Sequence, residues 1–127
     1  MKFNSQICTT REQSERLIAL GLRKETADMR WERISEKYAY YPSTKMYYVS
    51  SDIPAWSLHR LIEMMPESLP TEMTGIQGLF HISRHSDMTF TVGYTWSLDM
   101  KGSLYDVMIS AYEWLIKEGY FNKEYLV

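Results

Sequence analysis

The chain has 127 residues, 45% of them hydrophobic and 24% charged, with a formal net charge of −2, which is the profile of one ordinary globular domain, residues 1–127, with enough chain for a single core. The longest basic run is Arg23-Lys24 and the charge is uneven, eight basic and six acidic side chains in residues 1–40 against six and ten in the rest, so no electrostatic footprint for nucleic acid is present. One cysteine, Cys8, excludes an internal disulfide and points to a reducing, cytoplasmic setting; neither a signal-peptide pattern nor an apolar run long enough to span a membrane occurs.

The first element opens at Thr9-Thr10-Arg11-Glu12-Gln13, where either threonine suits an N-cap and Glu12 or Gln13 supplies the reciprocal partner of a capping box. The helix is expected to run to Leu20 and stop at Gly21, with Leu17, Leu20 and Leu22 buried. From Ala27 to Ser51 aromatic and β-branched residues alternate: Met29 and Trp31, then Tyr38, Tyr40 and Tyr41, then Met46 and Tyr48 against Tyr47 and Val49. Two strands joined by a turn at Pro42-Ser43-Thr44 are expected, with Glu32 to Lys37 open to a helical alternative. Asp52 to Ser57 reads as a loop into a second helix capped by Ser57, in which Leu58, Leu61, Ile62 and Met65 fall on one face and Pro66 ends the run. Trp56 is placed to staple back on Leu61 or Ile62, and His59 reads as a solvated helix residue.

After a loop from Glu67 to Gly75 comes the clearest strand signal. Met88, Phe90, Val92, Tyr94 and Trp96 alternate with Thr89, Thr91, Gly93, Thr95 and Ser97, and Phe80 and Ile82 alternate before them. A loop at His85-Ser86-Asp87 sets Ile82 against Phe90 and Phe80 against Val92, leaving His81 opposite Thr91 and Ser83 opposite Thr89. Leu98 to Lys101 is then a turn into the last helix, which starts at a Ser103 cap and ends at Gly119. Leu104, Val107, Met108, Ala111 and Leu115 make its central stripe, flanked by Tyr105, Ile109, Tyr112, Trp114 and Ile116, an apolar arc wide enough to make it the core helix. The ends Leu17-Ile18-Ala19-Leu20-Gly21-Leu22 and Leu115-Ile116-Lys117-Glu118-Gly119-Tyr120 rhyme, which is read as shared capping chemistry.

Few residues suggest chemistry. His81 and His85 on a strand leading into a turn share a face at a spacing too long for one ion without a third ligand, for which Asp87 is the candidate, and no metal or other cofactor is expected. Cys–His pairs, phosphate loops, H-E-x-x-H runs and serine elbows are missing, and Gly75-Ile76-Gln77-Gly78 has neither the spacing nor the lysine of a phosphate cradle. Trp31, Tyr40, Tyr47 and Tyr94 are the aromatic residues that would stack single-stranded nucleic acid if they shared an open face.

Three blocks carry a resemblance: Cys8 to Ser14 with Arg16 to Leu22 and Thr26-Ala27-Asp28-Met29; Pro54 to Leu58 with Leu61 to Pro66; and Trp114 to Tyr120. In these the chain resembles a family of small uncharacterised proteins of Bacteroides-type gut bacteria, often carried by phage-like or mobile elements. The resemblance implies an accessory role in a mobile element and brings no activity, cofactor or catalytic residue with it.

The fold expected is α+β: a small antiparallel sheet of about four strands, three helices packed on one face, the C-terminal helix central. The second face of that sheet is then open, lined by His81, Ser83, Thr89, Thr91 and Thr95 together with Tyr47 or Tyr48, a polar but uncharged contact face for a protein partner or for a second copy in a homodimer. The expected function is accordingly non-enzymatic binding inside the cell. The alternative is a small hydrolase-like enzyme whose carboxylates or histidine converge from distant positions, and the third reading is a single-strand nucleic-acid binder.

Overall fold

A computed structural model describes residues 1, 5–34, 37–42, 52–70 and 77–127. The chain is α+β and divides into two compact units, Met1–Glu63 with Tyr125–Val127, and Met64–Glu124. Among the described residues no helix is long and apolar enough to cross a membrane.

In the first unit α1 spans Arg11–Ala19. Thr10, not Thr9, is its cap: the Thr10 hydroxyl accepts from the Gln13 N–H at 3.1 Å and the Gln13 side chain accepts from the Thr10 N–H at 3.0 Å, which satisfies two of the helix's orphan donors at once. The stop is the expected one, Gly21 at φ 102° with the Leu22 N–H on the Leu17 carbonyl. Leu17 and Leu22 are buried, whereas Leu20 is only half-buried.

Thr9 takes a different role. Fully buried, it donates its N–H to the Trp56 carbonyl, accepts the Trp56 N–H on its hydroxyl, accepts the Trp31 indole on its carbonyl and shares a 2.7 Å bond with Ser14. A buried threonine with its polar groups so fully used fixes three segments in one place. Trp56, also fully buried, gives its own indole N–H to Thr26 at 3.0 Å.

Three strands, β1 (Met29–Ile34), β2 (Lys37–Pro42) and β3 (Ile53–Ala55), form an antiparallel sheet in the order β2-β1-β3. Glu32 and its neighbours are therefore strand, and the aromatic run folds into a hairpin earlier in the chain than Pro42. The alternation expected from Met46 to Val49, and the turn expected at Ser43-Thr44, lie outside the described residues. Ile53–Ala55, expected as loop, pairs with Met29–Trp31, and three residues with a proline at the centre are too short to show a period. Helix α2 covers Leu58–Glu63 with the Ser57 hydroxyl accepting the Arg60 N–H at 3.1 Å. The C-terminal residues return to this unit: Arg23 N–H bonds the Tyr125 carbonyl and Val127 N–H the Gly21 carbonyl.

The second unit holds β4 (Ser68–Pro70), β5 (Gln77–Arg84), β6 (Phe90–Tyr94) and β7 (Leu98–Gly102) as an antiparallel meander in that order, with α3 (Leu104–Glu118) on β6 and β7. The C-terminal helix packs on this sheet as expected, but of the four expected strands only the two of the hairpin belong to it, because β1 and β2 lie in the other sheet. The expectation that all three helices share its one face is corrected by the second sheet, because α1 packs against β3. Two of the strands, β4 and β7, occupy stretches expected as loop and turn. In β7 only Leu98 and Met100 are apolar, with Asp99 between them and Lys101 after, so the strand is half-buried and brief.

On α3 Val107, Met108, Ala111 and Leu115 are buried along with Tyr105, Ile109 and Tyr112, while Leu104 at the first turn is half-buried. Gly119 ends the helix at φ 79°, with the Tyr120 N–H on the Leu115 carbonyl, a conformation that costs glycine nothing. The Ser103 hydroxyl does not accept a helix N–H as a cap would. It donates instead to the Asp106 carboxylate at 2.7 Å, leaving that acid to face the positive end of the dipole.

Candidate functional site

The side of β5–β6–β7 turned away from α3 is built by alternation. Phe80, Ile82, Val92, Tyr94, Leu98 and Met100 take the helix side, and Leu79, His81, Ser83, Thr91, Gly93, Asp99 and Lys101 take the other. The faces are those expected, but the register differs by two residues: Ile82 pairs with Val92, His81 with Gly93 and Ser83 with Thr91. A two-residue slip preserves the faces, whereas a slip of one would invert them. Its cause is a longer turn, in which the Met88 N–H bonds the His85 carbonyl, the His85 N–H bonds the Thr89 carbonyl and Met88 sits at φ 64°.

That turn removes Thr89 from the strand. Its N–H and hydroxyl both go to the Asp87 carboxylate, at 3.1 and 2.6 Å, and these bonds hold the Asp87 carboxyl below the usual carboxylate range. Thr91 is on the outer face and shares a 2.5 Å bond with His85 Nε2. Ser83 is exposed on the same face. Thr95 lies just past β6, its N–H on the Leu79 carbonyl. Of the five residues expected on this face, His81, Ser83 and Thr91 are on sheet strands and Thr89 and Thr95 are in the flanking turns. Tyr47 and Tyr48 lie outside the described residues.

His81 meets Asp99 across the middle strand, Nε2 to Oδ1 at 3.5 Å. Strands β5 and β7 are not neighbours, and the approach is made across Gly93, the residue paired with both. A Cβ there would stand 1.9 Å from the Leu98 carbonyl oxygen, so the position admits no side chain and leaves a gap in the face. The backbone demands a glycine, and the two flanking side chains use the space.

Beside this pair the chain turns from β6 to β7. The Ser97 N–H bonds the Tyr94 carbonyl at 3.0 Å and Trp96, third residue of the turn, has φ 71°. The alternation predicts Trp96 on the helix side at the end of a longer strand. It lies instead in the turn and is 73% exposed, with Leu79, 59% exposed, on the strand facing that end. An indole in the left-handed region is unfavourable twice over, through backbone strain and through apolar exposure. Trp96, His81, Thr95, Ser97 and Asp99 line a shallow open depression of about 420 Å³. No sequence signal marks Trp96 as special, because its alternation with Tyr94 is perfect; only the turn geometry singles it out.

Of the residues considered for stacking nucleic acid, Trp31 and Tyr40 pair across β1 and β2, and Tyr47 lies outside the described residues. Trp31 is occupied with the Thr9 carbonyl and lies edge-to-face on Tyr40 at 5.2 Å, whereas Tyr94 is buried, donating its hydroxyl to the Pro66 carbonyl at 2.5 Å. Burial drives the Tyr94 phenol above its ordinary pKa. A second depression in the first unit, of about 530 Å³, is lined by Thr10, Arg11, Glu12, Trp31, Lys37 and Tyr38, and the Arg11 guanidinium already covers the Tyr38 ring at 4.3 Å. His59, exposed on α2, pairs with Glu63 at 3.1 Å. Among the described residues no group of three or more His, Cys, Asp or Glu side chains is placed to hold a metal ion.

Comparison with known proteins adds no assignment: no family model, curated protein or solved structure matches the chain.

Proposed function

We propose that this is a non-enzymatic binding protein of the cytoplasm, and that it engages a protein partner or a second copy of itself through the outer face of β5–β7 around Trp96. The observation that carries the reading is Trp96, a large aromatic residue on a strained turn, exposed, and bordered by hydroxyl and imidazole side chains. Aromatic anchors of this kind supply contact area at small cost in conformational freedom. The resemblance of the α1, α2 and α3 blocks to mobile-element proteins supports an accessory role in such an element.

The test compares the wild-type chain with Thr91→Arg and Trp96→Ser in the native host, using in-cell cross-linking followed by measurement of complex mass. Both substitutions are at sites outside the core, so circular dichroism should be unchanged while the cross-linked complex disappears. Survival of every association in both folded variants refutes the assignment of the face.

A further inference from the structure

We infer that the depression beside Trp96 receives an arginine or lysine side chain from a basic segment of a partner protein, the cationic group lying over the indole and pairing with the Asp99 carboxylate. The inference rests on the contact reading of the same face and gives that face a chemistry.

An indole is the strongest of the protein π faces for a cation, and a carboxylate beside it supplies the complementary charge. Both line the same depression here. The Asp99 side chain is 75% exposed and its ion-pair partner among the described residues is His81, a group that carries charge only when protonated. Neither Lys nor Arg lines the depression. Lys101, the nearest cation along β7, is drawn instead toward Asp87, with Nζ 3.9 Å from its carboxylate, at the opposite end of the hairpin.

The wider field has the same sign. Residues 64–124 hold eight acidic and four basic side chains, which favours the approach of a positive segment and raises its rate of encounter. A wholly apolar occupant would strip water from Asp99 without replacing its hydrogen bonds. An acidic one would be repelled. The open shape suits one extended side chain entering from a peptide, not an enclosed small molecule.

The experiment is a titration of the full chain, 15N-labelled, with acetyl-Gly-Arg-Gly-Gly-amide, followed by two-dimensional NMR. The Trp96 indole and the backbone amides of His81 and Asp99 should shift in a saturable way, with a Kd on the order of millimolar for so small a probe. Citrulline in place of arginine should weaken binding by about fivefold to tenfold, the combined worth of an exposed cation–π contact and a surface ion pair, and Asp99→Asn, which removes the ion pair alone, by about twofold to threefold. Raising the salt should weaken it further, and Trp96→Ser should abolish it with the remaining spectrum intact.

Equal binding of the citrulline peptide, or a Trp96 response to maltotriose and none to the arginine peptide, overturns the inference. If the arginine peptide fails while Trp96→Ser still removes the cross-linked complex, the cation chemistry is wrong and the contact face stands. If the complex survives Trp96→Ser, the contact reading itself falls.

Discussion

Asp28 grips Ser57 twice: one carboxylate oxygen accepts the Ser57 N–H at 2.8 Å and the other accepts its hydroxyl. The same hydroxyl oxygen caps α2 through Arg60, and the Ser57 backbone bridges to Cys8. One carboxylate therefore ties the residue before β1 to the start of a helix 29 positions on. Hydrogen bonds to a charged group contribute about 1.5–3 kcal/mol each. Asp28→Ala should accordingly destabilise the protein by about 3–6 kcal/mol, and Asp28→Asn, which keeps one acceptor, by about half as much. Urea denaturation of the two variants checks this, and a loss under about 1 kcal/mol for the alanine would show that the grip is replaced by water.

Cys8 adjoins that grip and feels it. Burial, with the Asp28 charge adding to it, pushes the thiol from 9.0 up to about 11, and the residue is 3% exposed. A thiol whose folded pKa is raised keeps its proton longer in the native state than in the unfolded one. Its contribution to stability is complete below about pH 9 and is lost as the pH climbs to about 11, amounting to about 1–3 kcal/mol. Wild type should lose stability faster than Cys8→Ala between about pH 9 and 10, before Tyr94 joins the same trend. The thiol should also react slowly with a disulfide reagent at about pH 8 until the chain is unfolded. A fast native reaction would contradict the buried placement.

Leu115 is fully buried at the centre of the α3 stripe, and truncation there opens a cavity on the buried arc that Met108, Ala111 and Tyr112 share. Leu115→Ala should cost about 2–5 kcal/mol. Leu104, half-buried at the first turn, gives a weaker effect, and chemical denaturation of both variants should rank them in that order. Equal effects would remove α3 from the centre of its unit.

How much of this is legible in the sequence follows from length and period. Helix α3 with its stripe, the α1 capping box and both glycine stops are readable because each repeats or combines several signals within one turn of chain. The two faces of the β5–β6 hairpin are readable for the same reason. Strands β3, β4 and β7 are not, since three to five residues with a proline, an acid or a lysine among them carry no period. The register escapes the pattern because Met88, with no glycine to mark it, adopts the left-handed angle that lengthens the turn. The candidate site suffers most from this limit. Alternation alone points to His81, but Asp99 is hidden in a strand that reads as a turn, and Trp96 belongs to the core by a pattern that its backbone breaks.

Trp96 and Met88 form a natural pair for separating strain from function. Both are exposed, 73% and 61%, both occupy the left-handed region, at φ 71° and 64°, and they stand in the turns at opposite ends of β6. Replacing either by glycine relieves about 1–2 kcal/mol of backbone strain. Against this stands about 0.5–1 kcal/mol of added unfolded-state freedom. Each substitution should therefore leave stability unchanged or raise it by up to about 1 kcal/mol. Function should separate them. Trp96→Gly should lose the arginine-peptide response and the cross-linked complex, whereas Met88→Gly should keep both, so that one chain gains stability at the expense of contact and the other gains it freely. A destabilisation of more than about 1 kcal/mol in Trp96→Gly would mean that the indole is packing against its own sheet, and the case for an exposed anchor would go with it.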